Sequence, residues 1–344
     1  MLMSGSDRAF CGIAHHRILS PAGMPAFRPA REPSRTLDLA PASGSDHRSM
    51  DTTTRPARQV PLGHFYDIDG RSLFLHRSGD GGPAVVFLPG AGAIGLHYLN
   101  IHQSVSRYTT SVLYDRGGTG WSGPAGLPRS LAEVAVELRE LLRAAEVPAP
   151  YVLVGHSLGC AYARRFVQLF PADVAGVVYL DGVVEDWETC MPPLRSQKVP
   201  GTAALRLVSL LSRGVYRKMF ASWPPGIRDL LVAHHLTVAA QRTGALERSN
   251  QPEWLHELKA AGTVPATPLI AMTALGVDPA MRVLMSPKKL RQLRTGKRRL
   301  YDALAASVPH GEHRVLGGAR HSTITADCPE AVAQAVRDLW QRVC

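Results

Sequence analysis

Several absences narrow what this 344-residue sequence can be. Its five cysteines, at positions 11, 160, 190, 328 and 344, form no C-x-x-C pair. Neither a zinc site nor a disulfide framework is therefore indicated. No apolar run approaches the roughly 18 residues that a membrane-spanning helix needs. The first residues lack a charged start leading into an apolar stretch, so no secretory signal is expected and a reduced, cytoplasmic compartment is the expectation. Acids are in deficit: 28 acidic residues face 39 basic ones, for a formal charge of +11. Lysine is scarce among those bases, with arginine dominant. Much of the surplus sits in residues 288–299, KKLRQLRTGKRR, with seven bases and no acid. Such a run can attract nucleic acid or anionic lipid. No recognition motif accompanies it, so it reads as the solvated face of a helix, and no specific nucleic-acid partner is expected.

What is present is ample apolar content, 45% of residues, enough for a sizeable core. It is unevenly placed. Residues 1–58 are rich in Pro, Ser, Arg and Gly, show no sustained period, and read as a disordered extension. Met50 could be an alternative start, leaving residues 1–49 untranslated. From about residue 64 the sequence alternates strand and helix. HFYDIDGRSLFLHRSG reads as a hairpin turning at Asp69-Gly70. AVVFLPGAG (84–92) and SVLYDRGG (111–118) are short apolar runs ending in glycine, as buried parallel strands do. A helix fits residues 94–106, and Ser130 to Glu133 form a capping box that opens another. Strands at 151–155, 175–180, 268–274 and 313–318 follow, and a last helix is expected to run from a cap at Asp327 to about Arg342. Repeated βα units imply an α/β fold, a mostly parallel sheet with helices on both faces.

That rhythm breaks over residues 183–264, where helical periods dominate. This segment reads as a helical cap inserted into a core made of residues 59–182 and 265–344. Within it, Ala204, Leu207, Val208, Leu211, Val215 and Met219 share one helical face, with Arg206, Arg213 and Arg217 opposite. A membrane-surface helix fits that pattern. A cap helix packing this face on the core is the preferred reading, because it also explains the position in the chain.

The chemistry concentrates at YVLVGHSLGC, residues 151–160. Gly155-His156-Ser157-Leu158-Gly159 is G-x-S-x-G directly after a strand and before a helix, the context that gives the motif its meaning. A sharp strand-to-helix turn lifts the Ser157 hydroxyl over the helix N-terminus, where amides and the dipole favour developing negative charge. A hydroxyl is a weak nucleophile until a base takes its proton, and that base needs an orienting acid.

Here the sequence resembles the α/β-hydrolase superfamily over roughly residues 64–344, through FLPGAG, YDRGGTGWS (114–122), GHSLG, GVDP and GARHS. The resemblance implies the chain order serine, acid, histidine, with acid and base in loops after the later strands. That order narrows fourteen histidines to His310, His313 and His321. The first two sit at the start of the last strand, whereas His321 lies past its carboxyl end and is the expected base. The expected acid is Asp278, four residues past strand 268–274, with Asp181, directly after strand 175–180, as the alternative. Capping and solvation are the other reading of Asp181, Glu185 and Asp186. The oxyanion hole is expected to use the backbone N–H of Leu158 and a second from Ala91, with Gly90 beside it. Family members often have His-Gly where this sequence has Pro89-Gly90, and proline cannot donate. Cys160 stands where a second glycine is common and reads as a small packed residue.

The adjacent pairs His15-His16 and His234-His235 point to different helical faces and make poor metal sites. The reading calls for no metal and no organic cofactor, and for a small-molecule substrate. The insertion's Leu, Val, Met and Trp content suggests an apolar acyl or alcohol group, with Trp187, Trp223 and Trp254 as pocket or core residues. A serine esterase is the expected activity. A C–C hydrolase, thioesterase, aminopeptidase or acyltransferase uses the same three residues, and a non-catalytic ligand-binding protein uses the same fold. A serine nucleophile excludes the aspartate-nucleophile dehalogenases and epoxide hydrolases.

Overall fold

In a computed structural model the chain is described over residues 62–262 and 265–344. The disordered extension expected for residues 1–58, and Met50 within it, lie outside the described residues. Eight strands form one sheet: β1 (His64–Ile68), β2 (Arg71–Ser78), β3 (Ala84–Leu88), β4 (Ser111–Tyr114), β5 (Tyr151–His156), β6 (Val174–Leu180), β7 (Leu269–Gly276) and β8 (Glu312–Arg320). Their spatial order is β1-β2-β4-β3-β5-β6-β7-β8. The hairpin β1–β2 and the β2–β4 pair are antiparallel, and every later pairing is parallel.

Parallel strands need crossovers, and the helices that make them cover both faces. The crossovers include α1 (Leu99–Val105), α2 (Leu131–Ala144) and α3 (Leu158–Leu169). Helix α2 starts where expected: Ser130 Oγ accepts from the Glu133 N–H while the Glu133 carboxylate accepts from the Ser130 N–H. Strands β3 and β4 are buried along their whole length, as an all-apolar run sandwiched between helices requires. The core divides into one apolar cluster on each face of the sheet, one including Leu138, Phe166 and Leu304 and the other Phe87, Ile101 and Leu339.

Between β6 and β7 the described residues hold five helices and no strand: α4 (Trp187–Cys190), α5 (Thr202–Met219), α6 (Pro225–His235), α7 (Val238–Glu247) and α8 (Gln251–Ala260). Helices α9 (Pro279–Leu284) and α10 (Pro287–Ala306) join β7 to β8, and α11 (Ile324–Asp327) and α12 (Pro329–Val343) close the chain. Two expectations fail here. The last helix caps at Cys328, not Asp327, because Pro329 takes its first position and Asp327 is occupied with the Arg320 amide and guanidinium. The apolar face read from α5 packs on the core only at Met219, in its last turn. Leu205 and Ser209 are the buried side chains, and Leu207, Val208, Leu211 and Val215 are exposed.

Among the described residues no helix is long and apolar enough to cross a membrane.

Candidate active site

The parallel strands end on one edge of the sheet, and the loops leaving that edge carry Ser157, Asp181 and His321. His156 pairs with Leu180 in register, so Ser157 and Asp181 leave neighbouring strands side by side. Ser157 sits at φ 54°, ψ −118°, a conformation that non-glycine residues rarely adopt. The turn is tight enough that a Cβ on Gly155 would come within 2.5 Å of the Gly159 carbonyl oxygen, and one on Gly159 would collide with the Leu88 carbonyl. These contacts are the physical reason for both glycines of the motif.

His321, directly after β8, places its Nε2 3.1 Å from Ser157 Oγ. Its Nδ1 lies 2.8 Å from an oxygen of Asp181. A carboxylate can only accept, so Nδ1–H donates to Asp181, and the neutral ring leaves Nε2 as acceptor for the serine hydroxyl. The carboxylate that meets His321 is thus Asp181 and not Asp278, which corrects the preferred expectation. The reason is strand length. Asp181 follows β6 immediately, beside β5, and is 3% exposed. Strand β7 runs on to Gly276, which carries Asp278 outward to the start of α9, where it accepts from Ser322 Oγ.

Asp181 has further partners. The amide of Ala274 donates to its second oxygen at 3.2 Å, and Lys297 Nζ stands 2.5 Å from the oxygen that His321 uses. Burial by itself would raise the acid's pKa. The hydrogen bond from His321 and the Lys297 ammonium outweigh it and bring the value down to about 2. Lys297 belongs to the 288–299 run. Its neighbours on α10 are largely exposed, as expected of a solvated face, but this one cation turns inward, a role the charge pattern did not disclose. Glu185, considered with Asp181, pairs with Arg164.

His156 supports the opposite side of the ring. Its Nε2–H donates to the His321 carbonyl at 3.0 Å, and its Nδ1 accepts from Tyr98 Oη at 3.1 Å. Desolvation of the ring, with His321 beside it, lowers its pKa to about 3, so it stays neutral and keeps both bonds.

The loop after β3 lies against the serine. A Cβ on Gly90 would stand 3.0 Å from Ser157 Cβ. A buried ion pair fixes this loop. Arg116 donates to the Pro89 and Gly90 carbonyls at 2.7 and 3.0 Å and to Glu247 at 2.7 Å, while the other Glu247 oxygen accepts from the Gly92 amide at 2.7 Å. Both side chains are almost fully buried. Ala91 and Gly90 are thus held by a residue after β4 and another at the end of α7. Sequence reasoning missed this pair. Arg116 lies inside YDRGGTGWS, but nothing local ties it to a glutamate 131 residues away.

The other candidates fall elsewhere. His313 bonds Thr273 and Asp302 at the far end of the sheet. His310 lines a separate groove there with Pro309 and Arg342. Trp223 and Trp254 are core residues, and the Trp187 indole donates to the Pro192 carbonyl. Cys160 is buried with its thiol pKa pushed up by that burial, so it packs as a neutral group. A cleft beside His321 is lined by Leu275, Met281, Leu293, Arg294 and Lys297 among others.

Known proteins resemble this chain in sequence and in fold. The model of the alpha/beta hydrolase family matches residues 85–335. The putative carbamate hydrolase RutD of Escherichia coli O9:H4 (strain HS) is 33% identical over 102 residues, 29% of this chain and 38% of that protein. The uncharacterized protein YqjL of Bacillus subtilis (strain 168) is 32% identical over 122 residues, 35% of this chain and 48% of its own length. The matched region thus spans less than half of either relative. In fold, a probable hydrolytic enzyme from Pseudomonas aeruginosa PAO1 superposes with TM-score 0.59 at 17% identity, covering 82% of this chain and 96% of its own. A thermophilic esterase from Thermogutta terrifontis gives 0.53 at 17% identity, covering 83% and 99%. A family model spanning most of the chain, over the strand order described above, makes the conclusion direct: this chain belongs to the alpha/beta hydrolase family.

Proposed function

We propose that the protein is a serine hydrolase that cleaves a carboxylic ester, or a related acyl bond, of a small apolar substrate. The hydrogen-bonded chain from Ser157 through His321 to Asp181 carries this reading. In the proposed reaction His321 Nε2 takes the Ser157 proton as Oγ attacks the acyl carbon. The carbonyl oxygen, now negative, is held by the backbone N–H groups of Leu158 and Ala91. His321 returns the proton to the departing alcohol, which leaves an acyl-enzyme. Water, deprotonated by the same imidazole, then attacks that acyl group, and Ser157 regains its hydrogen. The insertion of five helices serves as the cap, and its leucine, valine and methionine content supports an apolar group on the substrate.

A fluorophosphonate probe tests the nucleophile. Wild-type protein should be labelled at Ser157, and S157A and H321A should not. A folded wild type that the probe leaves untouched would refute the assignment. A series of p-nitrophenyl esters of graded chain length, with a carbamate included because of the RutD likeness, reads the acyl preference.

A further inference from the structure

We infer that α5 is an interfacial helix by which the protein binds an anionic lipid surface. The helix has 18 residues, and on its outward side Leu210 is 74% exposed, Leu211 70%, Val215 58%, Leu207 57% and Val208 43%. Elsewhere the leucines of this protein that face the sheet are essentially inaccessible. At about 100° per residue these five side chains cover one continuous arc, broken only by Gly214 and by Lys218 in the last turn. The opposite flank, with Leu205 and Ser209, is turned inward. Single exposed leucines need no explanation, but a row of them along one helix marks an interaction surface.

Charge selects the occupant. Arg206, Arg213 and Arg217 form a stripe along one border of the apolar arc, and the helix contains no acidic residue. A second copy of the chain docked helix to helix would bring no anion to these cations. An anionic bilayer supplies both requirements at once. The leucines and valines enter the acyl boundary while the arginines reach phosphates at headgroup level. The net charge of +11 acts in the same direction at longer range.

The test is co-sedimentation of the full-length protein with vesicles of phosphatidylcholine, with and without one-third phosphatidylglycerol. Wild-type protein should pellet with the anionic vesicles, bind the zwitterionic ones at least about tenfold more weakly, and dissociate as salt is raised. Replacing Leu210 and Leu211 together by serine should lower the partition coefficient about a hundredfold. Replacing Arg206, Arg213 and Arg217 by glutamine should cost about fivefold for each arginine. All five side chains are exposed, and circular dichroism checks that the variants keep the wild-type fold. Three results would overturn the inference: no binding of wild type to anionic vesicles at low salt; binding that neither variant weakens; or a wild-type dimer in light scattering that the leucine variant turns into monomer.

Discussion

Replacing Asp181 by asparagine probes the proposed mechanism at the point where the structure and the sequence pattern disagree. Three donors converge on this carboxylate: His321 Nδ1 at 2.8 Å, Lys297 Nζ at 2.5 Å and the Ala274 amide at 3.2 Å. Asparagine offers one acceptor oxygen and an NH₂ group, so at least one donor must face another. If the amide nitrogen faces the imidazole, Nδ1 becomes the acceptor and the ring proton moves to Nε2. The serine then has no base. Loss of the correct tautomer costs about 10⁴ in kcat, or ~5 kcal/mol of transition-state stabilisation. Asp278→Asn is the matched control. Its contact is with Ser322 Oγ, which keeps an oxygen acceptor in the amide, so kcat should change by less than about threefold. The assay is kcat and KM on a p-nitrophenyl ester, with stoichiometric probe labelling of Ser157 to count competent sites and circular dichroism to confirm folding. If Asp278→Asn lost about 10³ or more in kcat while Asp181→Asn stayed within about tenfold of wild type, the assignment of the acid would be wrong.

Three further outcomes follow from the same contacts. Burial lowers the pKa of His97, His102 and His156 to about 3, below the ~6.5 of the unfolded chain, so unfolded protein takes up these protons first as pH falls below 6.5. Stability should therefore drop by about 1.4 kcal/mol per pH unit per histidine, and urea titrations at pH 7, 6 and 5 should show a shallower fall for His102→Leu, whose Nε2 has no hydrogen-bond partner among the described residues. Lys297→Met strips a buried carboxylate of its counter-ion at a site where the lysine is partly exposed, and should lower stability by about 2 kcal/mol in thermal unfolding; an unchanged midpoint would count against the pair. Glu247→Gln uncouples Arg116 and the Gly92 amide from each other, so the loop bearing Ala91 loosens. We expect kcat to fall about ten- to a hundredfold with KM little changed, and a rise in KM alone would instead place Glu247 in substrate binding.

Local sequence suffices for the fold class, because each strand is a run of residues whose pattern answers to its immediate neighbours. The hairpin at Asp69-Gly70, the Ser130 capping box and the G-x-S-x-G turn are all decided within a few residues. Ser157 was legible for that reason, and His321 because its position past the last strand leaves little choice of where it points. The tertiary structure decided what depends on distance across the sheet. The register of β6 against β5 puts Asp181, not Asp278, beside the imidazole, and no local pattern encodes how far β7 runs before its loop begins. The inward turn of Lys297 and the pairing of Arg116 with Glu247 are of the same kind: charges read as solvated, or not read at all, whose partners lie far away in the chain. The outward face of α5 is the converse case. Periodicity shows that a helix has an apolar side, but only packing decides whether that side meets the core or the solvent.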